Sequence, residues 1–307
     1  MAKRSRLVLG VALALALLAA APAHATFPGR NGEIVLTEVS GGKQGEERMR
    51  LYRFPPPPGE SLGRQVCSRH AEPPACTHLG RPAFTPDGSR FAAVANESQS
   101  YSTSAWALWL LTADGQRVES HPLPSYYSEL RWSPDASALV ASGAPDGAVV
   151  VLNPDGSERG RVATHASQAD WCANGRMILV KHGEIRVLRA DGSLRRLTWH
   201  GGSEPSCSPN GRRVAFTRAG AVWTVPLSGG RPRKLTTGYR PVWSPDGRQI
   251  AYLHDRLHPG VETLTHLHRI GLRRQRVRLV SSEWTITDDA YSDAFAYGPE
   301  WRPLPPR

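Results

Sequence analysis

The chain is 307 residues long, carries 38 Lys and Arg against 27 Asp and Glu for a formal net charge of +11, and is 40% hydrophobic. That excess of positive charge favours acidic partners at low salt. The absence of any long apolar run after the first 25 residues excludes a chain built from membrane-spanning helices.

Lys3, Arg4 and Arg6 precede an apolar run from Leu7 to Ala21 and the small-residue segment Ala23-His24-Ala25, the three parts of a secretory signal peptide. Residues 1–25 are therefore expected to be cleaved, leaving residues 26–307 as a single exported domain that begins at Thr26. The apolar run is shorter than the roughly 20 residues of a spanning helix. No cysteine follows it to accept a lipid. Of the 38 basic residues 3 lie in the leader, so the remaining 282 residues hold 35 against 27 acidic ones, a net charge of +8. Outside the cytoplasmic membrane such a surface meets anionic wall polymers or lipid headgroups rather than nucleic acid.

Cys67 and Cys76 sit in a stretch rich in Pro, His and Arg that has no counterpart elsewhere in the chain. Cysteines in an oxidising compartment invite pairing, and a disulfide closing this insertion is expected. From Phe84 onward a five-residue phrase returns: Phe84-Thr-Pro-Asp-Gly88, Trp132-Ser-Pro-Asp-Ala136, Trp171-Cys-Ala-Asn-Gly175, Cys207-Ser-Pro-Asn-Gly211 and Trp243-Ser-Pro-Asp-Gly247. The steps from 171 to 207 and from 207 to 243 are 36 residues each. A fixed period of this size marks a stacked supersecondary unit.

Residues 204–236 show what that unit is. Pro205-Ser-Cys207, Val214-Ala-Phe216, Val222-Trp-Thr-Val225 and Lys234-Leu-Thr236 read as four short strands. The turn Ser208-Pro-Asn-Gly211 follows the first, with proline presetting φ and Asn and Gly accepting the conformations that come next. Asp114-Gly115, Asp155-Gly156 and Asp191-Gly192 are the matching hairpin turns between third and fourth strands. One such sheet cannot bury both faces alone, so neighbours must pack around an axis. The tryptophans of the phrase are expected to wedge adjacent sheets apart, and Asp87, Asp135 and Asp246 to satisfy backbone groups in their turns.

Cys172 and Cys207 occupy neighbouring slots of the phrase in adjacent units. They either pair across units or act as small buried hydrophobes; the second is favoured, because disulfide geometry is narrow and inner strands of adjacent units diverge. The run Arg269–Arg278, with five arginines broken by Ile270, Leu272 and Val277, reads as a strand hairpin with an exposed arginine face. The last copy of the phrase is split: Trp301-Arg-Pro303 supplies its first half and Arg30-Asn31-Gly32 its turn. Six copies predict an all-β fold, a six-bladed β-propeller of four-stranded antiparallel blades, closed by the C-terminal strand joining the N-terminal blade.

Trp-Ser-Pro-Asp-Gly followed by an apolar triplet such as Ile250-Ala-Tyr252, with the closing Leu197-Thr198 or Leu235-Thr236, resembles the repeat of the TolB-type β-propellers. The similarity covers nearly all of residues 27–303. It implies a bacterial, exported scaffold for protein or ligand binding.

In a propeller the loops joining the outer strand of one blade to the inner strand of the next open on one face, near the channel. The residues six before each phrase are His78, Tyr126, His165, Thr237 and Phe295, with His200 seven before Cys207 and Tyr127, Tyr239 and Arg240 close by. Tyr101 and the stretch His254–Leu264 are expected on the same face, in loops between second and third strands. The mouth residues Tyr126, Tyr127, His165, His200, Tyr239, Arg240 and Phe295 form the expected ligand surface, for a protein or an anionic cell-envelope polymer. A competing reading lets His78, His165 and His200 hold a divalent metal, giving a lyase or hydrolase. His254 with His258, and His266 with His268, are weaker metal pairs, and His200-Gly-Gly-Ser203 lacks the nucleophile elbow that would make it an oxyanion loop. The expectation is a monomeric binding module without a cofactor, not an enzyme, with no nucleic-acid partner and no membrane span after leader cleavage.

Overall fold

The structure, a computed structural model, describes residues 28–41, 47–54, 63–68, 78–98, 104–258, 261–272, 278–286 and 295–305. The leader, Tyr101 and the expected Cys67–Cys76 bridge lie outside the described residues or side chains. Among the described residues every regular element is a strand, and the strands form six antiparallel sheets. Each sheet is a blade.

The first blade comprises β25 (Phe295–Leu304), β1 (Arg30–Gly41), β2 (Glu47–Phe54) and β3 (Gly63–Ser68), in that order from the axis. The second has a divided inner strand, β4 (His78–Leu79) and β5 (Ala83–Phe84), both paired with β6 (Arg90–Asn96), then β7 (Trp106–Thr112) and β8 (Arg117–Pro122). The third runs through β9 (Glu129–Trp132), β10 (Leu139–Ser142), β11 (Val149–Leu152) and β12 (Glu158–Ala163). The fourth holds β13 (Ala166–Trp171), β14 (Met177–Lys181), β15 (Glu184–Leu188) and β16 (Leu194–Arg196). The fifth holds β17 (Ser203–Cys207), β18 (Arg213–Arg218), β19 (Ala221–Pro226) and β20 (Arg233–Thr237). The sixth holds β21 (Tyr239–Trp243), β22 (Gln249–His258), β23 (Val261–Gly271) and β24 (Arg278–Ile286).

The ring closes as the split phrase predicts. β25 runs antiparallel to β1, from Arg30 opposite Leu304 to Val39 opposite Phe295, so one sheet is sewn from both ends of the chain. The seam is tied on both sides. The Arg302 Nε–H donates to the Gly88 carbonyl of the second blade at 2.8 Å, and the Asp246 N–H of the sixth donates to Asn31 Oδ1 at 3.1 Å. Gly88 has φ +67°, and a Cβ there would sit 1.8 Å from the Pro303 carbonyl oxygen. Only glycine lets this turn rest on the closing strand.

Six apolar clusters fill the six gaps between blades, and the first residue of every phrase lies in the gap with the preceding blade. Phe84, Trp132, Trp171, Trp243 and Trp301 are the wedges in five of them. In the sixth, between the fourth and fifth blades, the slot holds Cys207 among Ile178, Val187, Val214 and Phe216. There Cys207 forms a disulfide with Cys172, with the Cα atoms 5.1 Å apart. The favoured reading of these cysteines as unpaired hydrophobes is thus corrected: adjacent inner strands converge at the phrase end, within disulfide range.

The turn residues behave as their chemistry dictates. Asp87, Asp135 and Asp246 accept the backbone N–H two residues on, at 3.0, 3.1 and 2.9 Å. Around Asp87 burial pushes the carboxyl up, but hydrogen bonds from Thr85 and Ser89 outweigh it and hold it below the usual carboxylate range. The stretch His254–Leu264 is paired rather than looped, with His254 opposite His266 and Asp255 opposite Thr265. Across Arg269–Arg278 the chain does turn back, Gly271 pairing with Arg278. Of its five arginines Arg269 is half-buried rather than exposed, and the other four side chains lie outside the described ones. No helix among the described residues is long and apolar enough to cross a membrane.

Candidate functional site

The inner strands bring two stations of the repeat to the axis. Three residues before each phrase stand Gly298, Arg81, Glu129, Gln168, Glu204 and Arg240; one residue before it stand Glu300, Ala83, Arg131, Asp170, Ser206 and Val242. In the fourth, fifth and sixth blades the inner strand is bulged at the first of these stations, and Gln168, Glu204 and Arg240 adopt φ values of 49°, 51° and 50°. A bulge adds one residue and re-aims its side chain.

What these side chains do is join blades. Gln168 Oε1 accepts the Glu204 N–H at 2.8 Å, and Glu204 Oε2 accepts the Arg240 N–H at 2.9 Å, each pair one repeat apart. At the second station Asp170 Oδ2 accepts the Cys207 N–H at 2.9 Å, and Ser206 Oγ accepts the Trp243 N–H at 3.3 Å. The fourth and fifth blades therefore each cap backbone donors that the next blade's bulge or strand end has freed.

Charge is concentrated in the same ring. Arg240 Nε lies 3.2 Å from Glu204 Oε1, and its stem crosses Gly298, where a Cβ would come within 2.9 Å of Arg240 Cδ. Arg81 donates to the Pro299 carbonyl at 2.7 Å and to Glu300 Oε2 at 3.3 Å. Arg131 lies 3.7 Å from Glu300 and 3.9 Å from Asp170. Burial pulls Arg81 down to about 10, with Arg131 adding to the effect and Glu300 opposing it. Burial also acts on Arg131, but Glu300, Asp170 and Glu129 outweigh it and raise its pKa. For Asp170 burial wins over Arg131 and the Cys207 N–H, and the carboxyl is pushed up to about 6.

Below this ring a cavity of about 30 Å³ is lined by Arg131, Asp170, Glu300, Trp132, Trp171 and Trp301. The buried indole N–H groups of Trp132, Trp171, Trp243 and Trp301 and the Nε–H of Arg81 make no hydrogen bond to protein. A space of that size holds a water molecule or two, with donors already in place.

The mouth lies at the end of the inner strands away from the phrase turns. His78 packs edge-on against Trp106 and Tyr126, with ring centroids 5.5 and 5.8 Å away, and Trp106 and Tyr126 are 4.6 Å apart. All three are half-buried. Burial pushes His78 down to about 4, so it is neutral at pH 7. Trp106 was not singled out in the sequence, because it opens β7, a third strand away from the phrase.

The other expected mouth residues are dispersed. Tyr127 is 2% exposed and belongs to the apolar cluster between the second and third blades. Tyr239 donates to Asp255 Oδ1 at 2.7 Å; burial, together with that carboxylate, pushes its phenol up to about 12. His165 and His200 are exposed on separate loops. Phe295 opens β25 opposite Val39, and its side chain lies outside the described ones. Among the described residues no three His, Cys, Asp or Glu side chains group closely enough to hold a metal, so His78, His165 and His200 do not share a centre. His254, His266 and His268 gather on one face of the sixth blade, with ring centroids 5.7 Å apart for His254–His268 and 6.0 Å for His266–His268. The pairing of His254 with His258 falls on undescribed side chains.

No family model matches the chain, and no curated protein matches it. Solved structures do. A protein provisionally assigned as TolB from Agrobacterium tumefaciens superposes with a TM-score of 0.53 at 16% identity, covering 89% of this chain and 100% of its own. Hydrazine synthase of Kuenenia stuttgartiensis follows with a TM-score of 0.49 at 14% identity, covering 72% of this chain and 68% of its own. Hsv2p of Kluyveromyces lactis gives 0.42 at 16%, covering 72% and 67%. The first of these establishes the shared fold, a six-bladed propeller of the TolB type.

Proposed function

We propose that this TolB-like propeller is an exported, non-catalytic binding module whose mouth holds a segment of a partner protein. One juxtaposition supports the reading: the half-buried aromatic cluster of His78, Trp106 and Tyr126 packs on the gap between the second and third blades, and Arg81, three residues beyond His78, pairs with Glu300. Aromatic rings and arginine are the side chains in which protein interfaces concentrate binding energy. The cluster is uncharged at pH 7, since His78 is neutral there. An apolar side chain seats on it while the neighbouring guanidinium and carboxylate groups fix the direction of the bound segment. Export is supported by the leader in residues 1–25, and the Cys172–Cys207 bridge suits an oxidising compartment.

The test is a photo-activatable side chain at position 126, with a second at exposed Val118 on the outer strand β8 as comparison. A discrete adduct from position 126 is expected in the producing cell, lost when Trp106→Ala and Arg240→Ala are added, and absent from position 118. Adducts of equal yield from both positions, or none from 126, would remove the mouth as the binding site.

A further inference from the structure

The positive charge is not spread around the ring. Between Arg176 and Lys234, within the fourth and fifth blades, 12 Lys and Arg stand against 3 acidic residues, Glu184, Asp191 and Glu204, a net charge of +9. That exceeds the +8 of everything after residue 25, so the rest of the mature chain sums to about neutral.

A repeated position contributes to this excess and continues it into the sixth blade. Arg176, Arg212 and Arg248 follow the phrase directly in three successive blades, 36 residues apart. Their backbone N–H groups donate to Asn174, Asn210 and Asp246 at 3.2, 3.1 and 2.9 Å, so the three turns share one geometry and open on one rim. That rim is the face opposite the mouth, because the strands alternate in direction. In the second and third blades the same position is Ser89 or Ser137, whose hydroxyl folds back on Asp87 or Asp135 at 2.9 Å.

Two features keep this positive rim unneutralised. Arg176, Arg212 and Arg248 are exposed, and none forms an ion pair among the described residues. The turn residue beside the first two is Asn174 or Asn210, whereas the second, third and sixth blades carry Asp87, Asp135 and Asp246 there. The connections between third and fourth strands reach the same rim and add the exposed Arg189 and Arg231.

We propose that this rim binds a linear, phosphate-bearing polymer of the cell envelope. Guanidinium groups pair with phosphate through two parallel hydrogen bonds and need little desolvation. A row spaced by the blade repeat meets successive charges along a chain. Of the large hydrophobics exposed among the described residues, Val118 lies on the outer strand of the second blade and Trp199 in a mouth loop. Among the described residues the rim thus offers no apolar wedge for a bilayer and no ring on which a nucleic-acid base would stack.

The experiment titrates the full chain with long-chain polyphosphate as the probe across a range of salt. The variant Arg176→Ser, Arg212→Ser and Arg248→Ser uses the residue that two blades already carry in this turn, and circular dichroism verifies that it folds. Its affinity is expected to fall at least tenfold, and the slope of log affinity against log salt to lessen by about 2–3. A comparison variant, Lys181→Ser, Arg196→Ser and Arg218→Ser, removes the same charge from the same two blades at the strand ends away from the rim and is expected to change affinity less than threefold. Equal losses in both variants would reduce the effect to bulk charge and overturn the proposal. Tighter binding of single-stranded DNA or of phosphatidylglycerol vesicles than of polyphosphate would reassign the partner and overturn it as well.

Discussion

Asp170 sits where burial and charge compete most directly. Its carboxyl caps the Cys207 N–H and faces Arg131, yet it is pushed up to about 6 from an ordinary 3.8 because burial outweighs both. A carboxyl that holds its proton more tightly when folded contributes stability that is present below pH 4 and lost as pH rises through about 6. The native protein is therefore expected to lose roughly 2 kcal/mol of stability from this group between pH 4 and pH 6.5. Asp170→Asn keeps an acceptor for the Cys207 N–H and should flatten that part of the profile. Urea melts at pH 4, 5 and 6.5 on both proteins decide the matter, and parallel curves would show that Asp170 does not carry the titration.

At the scale of the element, adjacent blades are joined by an apolar gap, by an aromatic wedge from the phrase in five of the six gaps, and, between the fourth, fifth and sixth blades, by inner-strand side chains that cap the neighbour's backbone. The gap between the fourth and fifth blades lacks the tryptophan and has the Cys172–Cys207 bridge in its place. A covalent tie across 35 residues is worth about 4 kcal/mol in the loop-entropy account. Cys172→Ser with Cys207→Ser should lower the thermal midpoint by roughly 5–10 °C. The same loss should appear in the native protein under reductant. A midpoint unmoved by either treatment would mean that apolar packing alone holds this gap.

For the whole molecule the decisive contact is the sheet sewn from both termini. Its inner strand β25 contributes Trp301 to the gap with the sixth blade and Glu300 to the axial ring, and it carries Arg302 to the second blade. Deleting residues 300–307 removes all three at once and leaves β1 as an open edge. The truncated protein is expected to unfold without a sharp transition or to associate in solution. Calorimetry and light scattering would show it; a monomer with the native midpoint would contradict closure by β25. Charge is a property of this scale too, with the excess gathered on two adjacent blades.

The 36-residue step, the turn chemistry of Ser-Pro-Asp-Gly and the split last phrase determined the number of blades, the order of strands and the mode of closure. All are local signals: a turn or a strand is encoded by residues within one repeat, and repetition supplies the rest. The apolar wedges were legible for the same reason. The site was legible only in part. The mouth loops follow from the repeat, and Tyr126 and His78 were found that way, but Tyr127 turned inward to the core and Trp106 joined the cluster from outside the phrase. The Arg81–Glu300 pair is separated by 219 residues, and the bulges that aim Gln168, Glu204 and Arg240 leave no mark in composition. Whether Cys172 meets Cys207 depended on how far the inner strands converge. Distances across the axis are set by how six blades pack together, and no repeat read singly contains that information; there the tertiary structure alone decided.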